Sequence, residues 1–407
     1  MDERHNDEAA DAFTTDGPSA GAADEVLDGT EEERGRVQAE LDRLRSMIGN
    51  LSMDDLRSGN WFAELLTHAL HSYATTVDAQ YFKDKYRGVP PDAVVSARIQ
   101  LAARYAAIEG GLSAAAYTGV VAATIGTGGA ASPLTLPAAG ASFALDLAYT
   151  TQLQLRLAWD IAVLYGVPLD LDNVEDQWKL IRIAFVIQAG EAGRVAVGKG
   201  VPVFLRPLVK KVFSGGTLAT AKSLPVIGKH LLQRNIVKFS LPVVGVPLSA
   251  AVNYWSTRTA GAHARRQFRV EGRIVEAARR MTERTAHPDA LLWVLWMTAK
   301  ADALVHENER ALLRHVALNV SDLGTEAVAL TELERTIDLD HAMVWSMLDA
   351  AEGDLTAIYE SAVVASAVDG KANVNELRLL ERLAEQCGTT YDEREIRELA
   401  KDWAKNI

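Results

Sequence analysis

Two segments in the last third of the chain place carboxylates where a metal ion could use them. The first reads Ala301-Asp302-Ala303-Leu304-Val305-His306-Glu307-Asn308-Glu309. The second reads Val368-Asp369-Gly370-Lys371-Ala372-Asn373-Val374-Asn375-Glu376. Both follow the spacing Asp-x6-Glu, at an offset of 67 residues. In each, the Asp ends one expected helix, a short turn follows, and the Glu falls in the first turn of the next helix. Two such hairpins packed together could gather Asp302, Glu309, Asp369 and Glu376 into an oxygen cluster. That chemistry suits a hard divalent cation, Ca²⁺ or Mg²⁺. Capping accounts for the same residues without a ligand. Asn373-x-x-Glu376 is a helix capping box, His306-x-x-Glu309 is a poorer version, and a first-turn acid also favours the helix macrodipole. Asp338, Asp340 and His341 open the helix between the repeats, as caps or as further ligands.

Other chemistry-bearing residues are sparser. Asp146 and Asp160 lie on one expected helix, 140–165, about 40° apart around its axis. They are the acids of the body that an enzyme, for example a hydrolase acting on lipid or envelope substrates, would use. The plainer reading pairs Asp160 with Arg156 one turn away and leaves Asp146 to cap or bridge a neighbouring helix. His68 and His71 share a helix face but have no third ligand near them in sequence. No Gly-x-Ser-x-Gly elbow, His-Glu-x-x-His pair or Walker loop occurs. Gly126-x-Gly128-Gly129 has neither a nearby lysine nor a preceding strand, so it is a poor phosphate cradle. The sequence reveals no reaction, and a non-enzymatic role is expected.

The elements that must position these residues are helical, and strand signals are scarce. From Gly110 to Leu145, 36 consecutive residues contain no Asp, Glu, Lys or Arg, in a chain that is 24% charged. The length would suffice for one membrane span, which needs about 20 apolar residues. Gly126, Gly128, Gly129, Pro133 and Pro137 break it at the centre. Two helices folded back through a Gly/Pro bend are therefore expected, packed closely through Gly, Ala, Ser and Thr. Insertion of 110–145 in lipid is the alternative. Before this stretch, Val37, Leu41, Leu44 and Ile48 mark one apolar helix face, and Trp61, Phe62, Leu65, Leu66 and Leu70 another. Pro90-Pro91 opens a helix expected to stop at Gly110-Gly111. Asp172 and Glu175 have the spacing of a capping box. A second uncharged run, 239–256, leads into an arginine-rich helix reaching about Arg284. Trp293, Trp296 and Trp345 are expected core residues.

Charge is unevenly distributed. Residues 1–33 carry twelve Asp/Glu and one Arg, so most of the net −12 belongs to them and 34–407 is close to neutral. Residues 1–30 have the composition of a disordered acidic tail. From 192 to 240 the sign reverses. Arg194, Lys199, Arg206, Lys210, Lys211, Lys222, Lys229, Arg234 and Lys238 occur with no acid between them and with apolar residues interleaved. Near anionic lipid each cation is worth about 1 kcal/mol, so membrane contact is expected here; a solvated basic face is the alternative. Nucleic acid is not expected, because no binding motif accompanies the charge. One cysteine, Cys387, excludes disulfides within the chain. Met1 leads straight into Asp2, Glu3 and Arg4, so a cytosolic start is expected.

Several of these stretches resemble known families. The Gly-rich uncharged stretch, Asp146 with Ile161-Ala162-Val163-Leu164-Tyr165-Gly166, Leu224-Pro225-Val226-Ile227-Gly228 and Pro242-Val243-Val244-Gly245 resemble the EcsC family of bacterial proteins. Asn253-Tyr254, followed by Thr257, Gly261, Ala264 and Phe268, adds to that likeness, which covers about 90–275. It implies an all-α protein linked to membranes or secretion, with no settled chemistry. The doubled Asp-x6-Glu pattern resembles the TerB family over about 288–405. That family implies a small helical domain associated with tellurite resistance and stress, with Asp302, Glu309, Asp369 and Glu376 as an acidic metal cluster. Ala303 departs from the motif where the second repeat has Gly370. The expected architecture is all-α: tail 1–30, an EcsC-like body 31–286 with Gly/Pro-broken hairpins, and a TerB-like bundle 287–407. The expected role is a cytoplasmic adaptor at the inner face of the cell membrane, with a cation or protein partner for its C-terminal domain.

Overall fold

The computed structural model describes residues 30–48, 61, 65, 70–126, 132–186, 246–301, 305–322 and 341–405; of these, the side chains of 47–48, 115–126, 132–144, 174–175, 246–248 and 321–322 are left out. The acidic tail, the cations from Lys199 to Lys238, and His68, Asp302, Ala303, Asp338 and Asp340 lie outside the described residues. Those residues contain thirteen helices and no strand, so the fold is all-α. They form two compact units, Met1–Leu164 with Pro168–Arg265, and Tyr165–Val167 with Arg266–Ile407.

In the first unit, helix α1 (Glu31–Ile48) starts at a Thr30/Glu33 capping box. Glu33 N–H donates to Thr30 Oγ1 at 3.2 Å, and Thr30 N–H donates to Glu33 Oε2 at 3.1 Å. Its expected apolar face is buried at Val37, Leu41 and Leu44. Two short helices follow, α2 (His71–Ala74) and α3 (Ala79–Lys85), the latter capped by Asp78. The core of the unit is a helical hairpin of α4 (Pro91–Gly126) and α5 (Ser132–Leu164), each about 50 Å long. Against it pack α1, α3 and α6 (Val174–Ala184).

Two helices are present where the uncharged stretch is expected to fold back on itself, one ending at Gly126 and the other starting at Ser132; residues 127–131 lie outside the described residues. Helix α4 does not stop at Gly110-Gly111. A Cβ added at Gly110 would lie 2.8 Å from Asn253 Nδ2 and 2.9 Å from the Ser249 carbonyl. Gly110 therefore serves a close helix contact rather than a terminus. Pro133 falls in the first turn of α5, where a missing N–H is best tolerated, and Pro137 lies one turn further in. At α6, Asp176 accepts from the Asp170 amide at 3.1 Å; the side chain of Glu175, the expected capping-box partner of Asp172, lies outside the described residues.

Helix α7 (Val246–Arg284) gives residues up to 265 to the first unit and the remainder to the second. The second unit continues with α8 (Pro288–Ala299), α9 (Glu307–Asp322), α10 (His341–Ala350), α11 (Thr356–Ala367), α12 (Val374–Gln386) and α13 (Glu393–Ala404). Helix α8 is apolar around its circumference and buried from Ala290 to Ala299 apart from Trp293, the pattern of a central helix. Its two sides fill two clusters, one around Leu291, Leu295, Trp296 and Val316, the other around Val294, Met297, Trp345 and Leu380. Trp296 and Trp345 are core residues as expected, and Trp293 is partly buried between them. No described helix is long and apolar enough to cross a membrane. The uncharged stretch falls short because Gly, Ala, Ser and Thr supply little hydrophobicity.

Candidate functional site

The first unit forms a half-open cavity of about 210 Å³ lined from α1, α2, α4 and α5. Asp160, Arg98 and Tyr73 form its deepest polar group. Arg98 Nε donates to Asp160 Oδ2 at 2.8 Å, and Arg98 Nη2 donates to the same oxygen and to the Tyr73 hydroxyl at 3.1 Å. Tyr73 donates to Asp160 Oδ1 at 2.7 Å. Burial raises the Asp160 pKa, with Arg98 and Tyr73 acting against that rise. Burial opposes the Arg98 charge, but Asp160 more than offsets it and the guanidinium is held charged. Burial and then the Asp160 charge push the Tyr73 hydroxyl up, so it stays a donor. Leaving one partner of such a pair alone typically costs about 3–5 kcal/mol, so the group anchors the wall.

The neighbouring stretch of wall holds Glu40, Gln152 and Arg156. Arg156 Nη1 lies 2.9 Å from Glu40 Oε1, Gln152 Nε2 donates to the same oxygen at 3.0 Å, and the guanidinium sits 5.0 Å from the Tyr73 ring centre. The expected Arg156–Asp160 pair is not the main one, since Arg156 is taken by Glu40 and Asp160 by Arg98. Two buried atoms on this wall have no hydrogen-bond partner, Gln152 Oε1 and Arg156 Nε. Tyr105 and Tyr149 complete the polar lining, and Leu101, Leu153 and Leu157 the apolar part.

A second polar group lies further along the hairpin. Glu109 on α4, Asp146 on α5 and Asn253 on α7 are all buried. Asn253 Nδ2 donates to Glu109 Oε2 at 3.1 Å and to Asp146 Oδ1 at 2.9 Å, while Ser113 Oγ donates to Glu109 Oε1 at 2.5 Å. Burial, then the neighbouring Asp146 charge, hold the Glu109 carboxyl well above the ordinary range, so Glu109 tends to keep its proton. Asp146 thus bridges neighbouring helices, as the plainer reading expects. It does not converge with Asp160. Fourteen residues along one helix amount to about 21 Å of rise, and the two acids belong to separate groups.

Around the doubled Asp-x6-Glu motif, the two turns are neighbours. Asn308 Nδ2 donates to the Val368 carbonyl at 3.1 Å, and His306 Nε2 lies 3.7 Å from Asp369 Oδ2. Glu309 and Glu376 are both buried. Each caps its own helix, Glu309 Oε2 accepting from His306 N–H at 2.7 Å and Glu376 Oε2 from Asn373 N–H at 2.8 Å. Asp369 accepts from Lys371 N–H at 2.8 Å, and Gly370 takes φ +87° with a Cβ position 2.9 Å from Ala404, a place only glycine fills easily. Among the described residues no three His, Cys, Asp or Glu side chains form a metal-holding group; Asp302, the fourth member, is outside them. His71 lies 3.4 Å from Asp172. Burial and then Asp354 push the Cys387 thiol up to about 11, which leaves it protonated and a poor nucleophile.

No protein-family model, no curated protein and no solved structure matches this chain. The likeness to EcsC and TerB proteins therefore rests on the residues quoted for it. Sequence reasoning missed Glu109, Arg98, Tyr73 and Gln152. A signal for Glu109 was present: with Asp146 it bounds the charge-free stretch, and folding that stretch at its centre brings its two ends together.

Proposed function

We propose that the chain is a non-enzymatic adaptor that works at a membrane surface. The observation that carries this reading is the hairpin of α4 and α5. Over 110–126 and 132–145 neither helix bears a charge, about 20–25 Å of each, yet no described helix can cross a membrane. Such a hairpin can lie against lipid or an apolar partner without spanning. The cations Lys199, Arg206, Lys210, Lys211, Lys222, Lys229, Arg234 and Lys238 add attraction for anionic headgroups, which supports an address at the inner face of the cell membrane. The likeness to EcsC proteins points the same way. The test is flotation with vesicles of phosphatidylcholine, alone or mixed with phosphatidylserine. Flotation with the mixed vesicles, lost at high salt, is expected; a protein that floats with neither composition would refute the reading.

The C-terminal unit, with its TerB-like turns, is proposed to take a divalent cation or a protein partner, in envelope or metal stress. Glu376→Gln separates capping from metal binding, since Gln also closes a capping box but lacks the charge. If a cation binds, millimolar Ca²⁺ or Mg²⁺ raises the Tm of the wild type and not that of Glu376→Gln. Equal Tm responses in the two proteins would leave only the capping role.

A further inference from the structure

We propose that the cavity walled by α1, α2, α4 and α5 binds a small neutral polyhydroxy compound, of the size of a monosaccharide or cyclitol. Volume sets the scale. About 210 Å³ holds roughly seven waters at ~30 Å³ each, less than the pockets that take drug-sized ligands. Charge sets the class. Arg98 is matched by Asp160 and Arg156 by Glu40, while Arg36 is exposed and pairs with Glu32. An anion would meet the Asp160 and Glu40 carboxylates, and a cation would meet the guanidiniums. A neutral molecule meets neither penalty.

Hydrogen bonding sets the functional group. Gln152 is 5% exposed, and its Oε1 is a buried acceptor without a donor; one helical turn on, Arg156 Nε is a buried donor without an acceptor. A buried polar atom left unsatisfied costs about 1–3 kcal/mol. A hydroxyl both donates and accepts, so neighbouring hydroxyls on a ring satisfy the two atoms together once a small side-chain rotation opens them to the cavity. Their anchors are already fixed, because Gln152 Nε2 and Arg156 Nη1 are both tied to Glu40. Tyr149, buried and also part of the lining, adds an aromatic surface for the C–H side of such a molecule. This inference does not depend on membrane contact.

The experiment is titration calorimetry of the full chain with D-glucose, D-galactose, myo-inositol and, as charged probes, inorganic phosphate and acetate. At least one neutral probe is expected to bind. Gln152→Leu, close in size, should weaken it about tenfold or more. Arg156→Lys, which keeps the charge beside Glu40, provides the same reading if Gln152→Leu fails to fold. No heat from any neutral probe up to about 10 mM would overturn the proposal. So would binding of phosphate or acetate alone, or full-strength neutral-probe binding in a folded variant.

Discussion

Glu109 is sealed from solvent beside a second carboxyl, and its proton makes a residue-level forecast possible. Its pKa is raised on folding, so between the ordinary carboxyl value and the raised one the folded chain binds more protons than the unfolded chain. Stability is then greatest below about pH 4.5 as far as this group is concerned, and it falls as pH rises toward the folded value. Glu109→Gln removes that loss while retaining an amide that Ser113 and Asn253 can bond. Urea melts should show the variant more stable than wild type by at least about 1 kcal/mol at pH 8, with the gap closing toward pH 4.5. A gap independent of pH would mean that Glu109 is not protonated in the folded chain. Such long-range partners were only half legible. Arg156 and Asp160 have the spacing of a helix pair, but local spacing cannot reveal that Glu40 on α1 claims Arg156. The antiparallel register does reveal cross-helix partners once the bend is located. Glu109 and Asp146 lie about equally far from residues 127–131, and so do Arg98 and Asp160.

At the scale of elements, periodicity was the reliable signal and glycine the misleading one. Val37, Leu41 and Leu44 are buried as their spacing requires, and α8 is central because it is apolar on every side. Gly110-Gly111 reads as a helix end, yet α4 passes through it, because a glycine can serve a neighbouring helix instead of a turn. The two uses are separable by substitution. Gly110→Ala would press a methyl against a backbone carbonyl and the Asn253 amide, the group that holds Glu109 and Asp146, and should cost about 1–3 kcal/mol. Gly35→Ala on α1 meets nothing within 4 Å and should instead stabilise by about 0.5–1 kcal/mol. A Gly110→Ala variant that melts as high as the wild type or higher would show that the Gly110 contact is not a tight one. The cavity was less legible than the helices. Its lining is drawn from four elements spread from Arg36 to Asp160, and no local pattern marks residues that meet only after the hairpin closes.

At the scale of the whole molecule, charge and apolarity are separated along the chain. Acid concentrates in 1–33, cations in 192–240, and neither sign occurs in 110–145. Within the described residues of the first unit, Asp160 pairs with Arg98, and Asn253 bridges Glu109 and Asp146, while the doubled acidic turns sit side by side in the second. The central claim is attachment to a membrane surface without crossing it. Its most direct test is fractionation of producing cells, with the membranes washed first in high salt and then in alkaline carbonate. The account predicts sedimentation with membranes and release by salt, as electrostatic attraction through 199–238 is screened. Resistance to both washes would contradict it by showing that 110–145 is inserted in lipid, and a protein absent from the membrane fraction at low salt would contradict it outright.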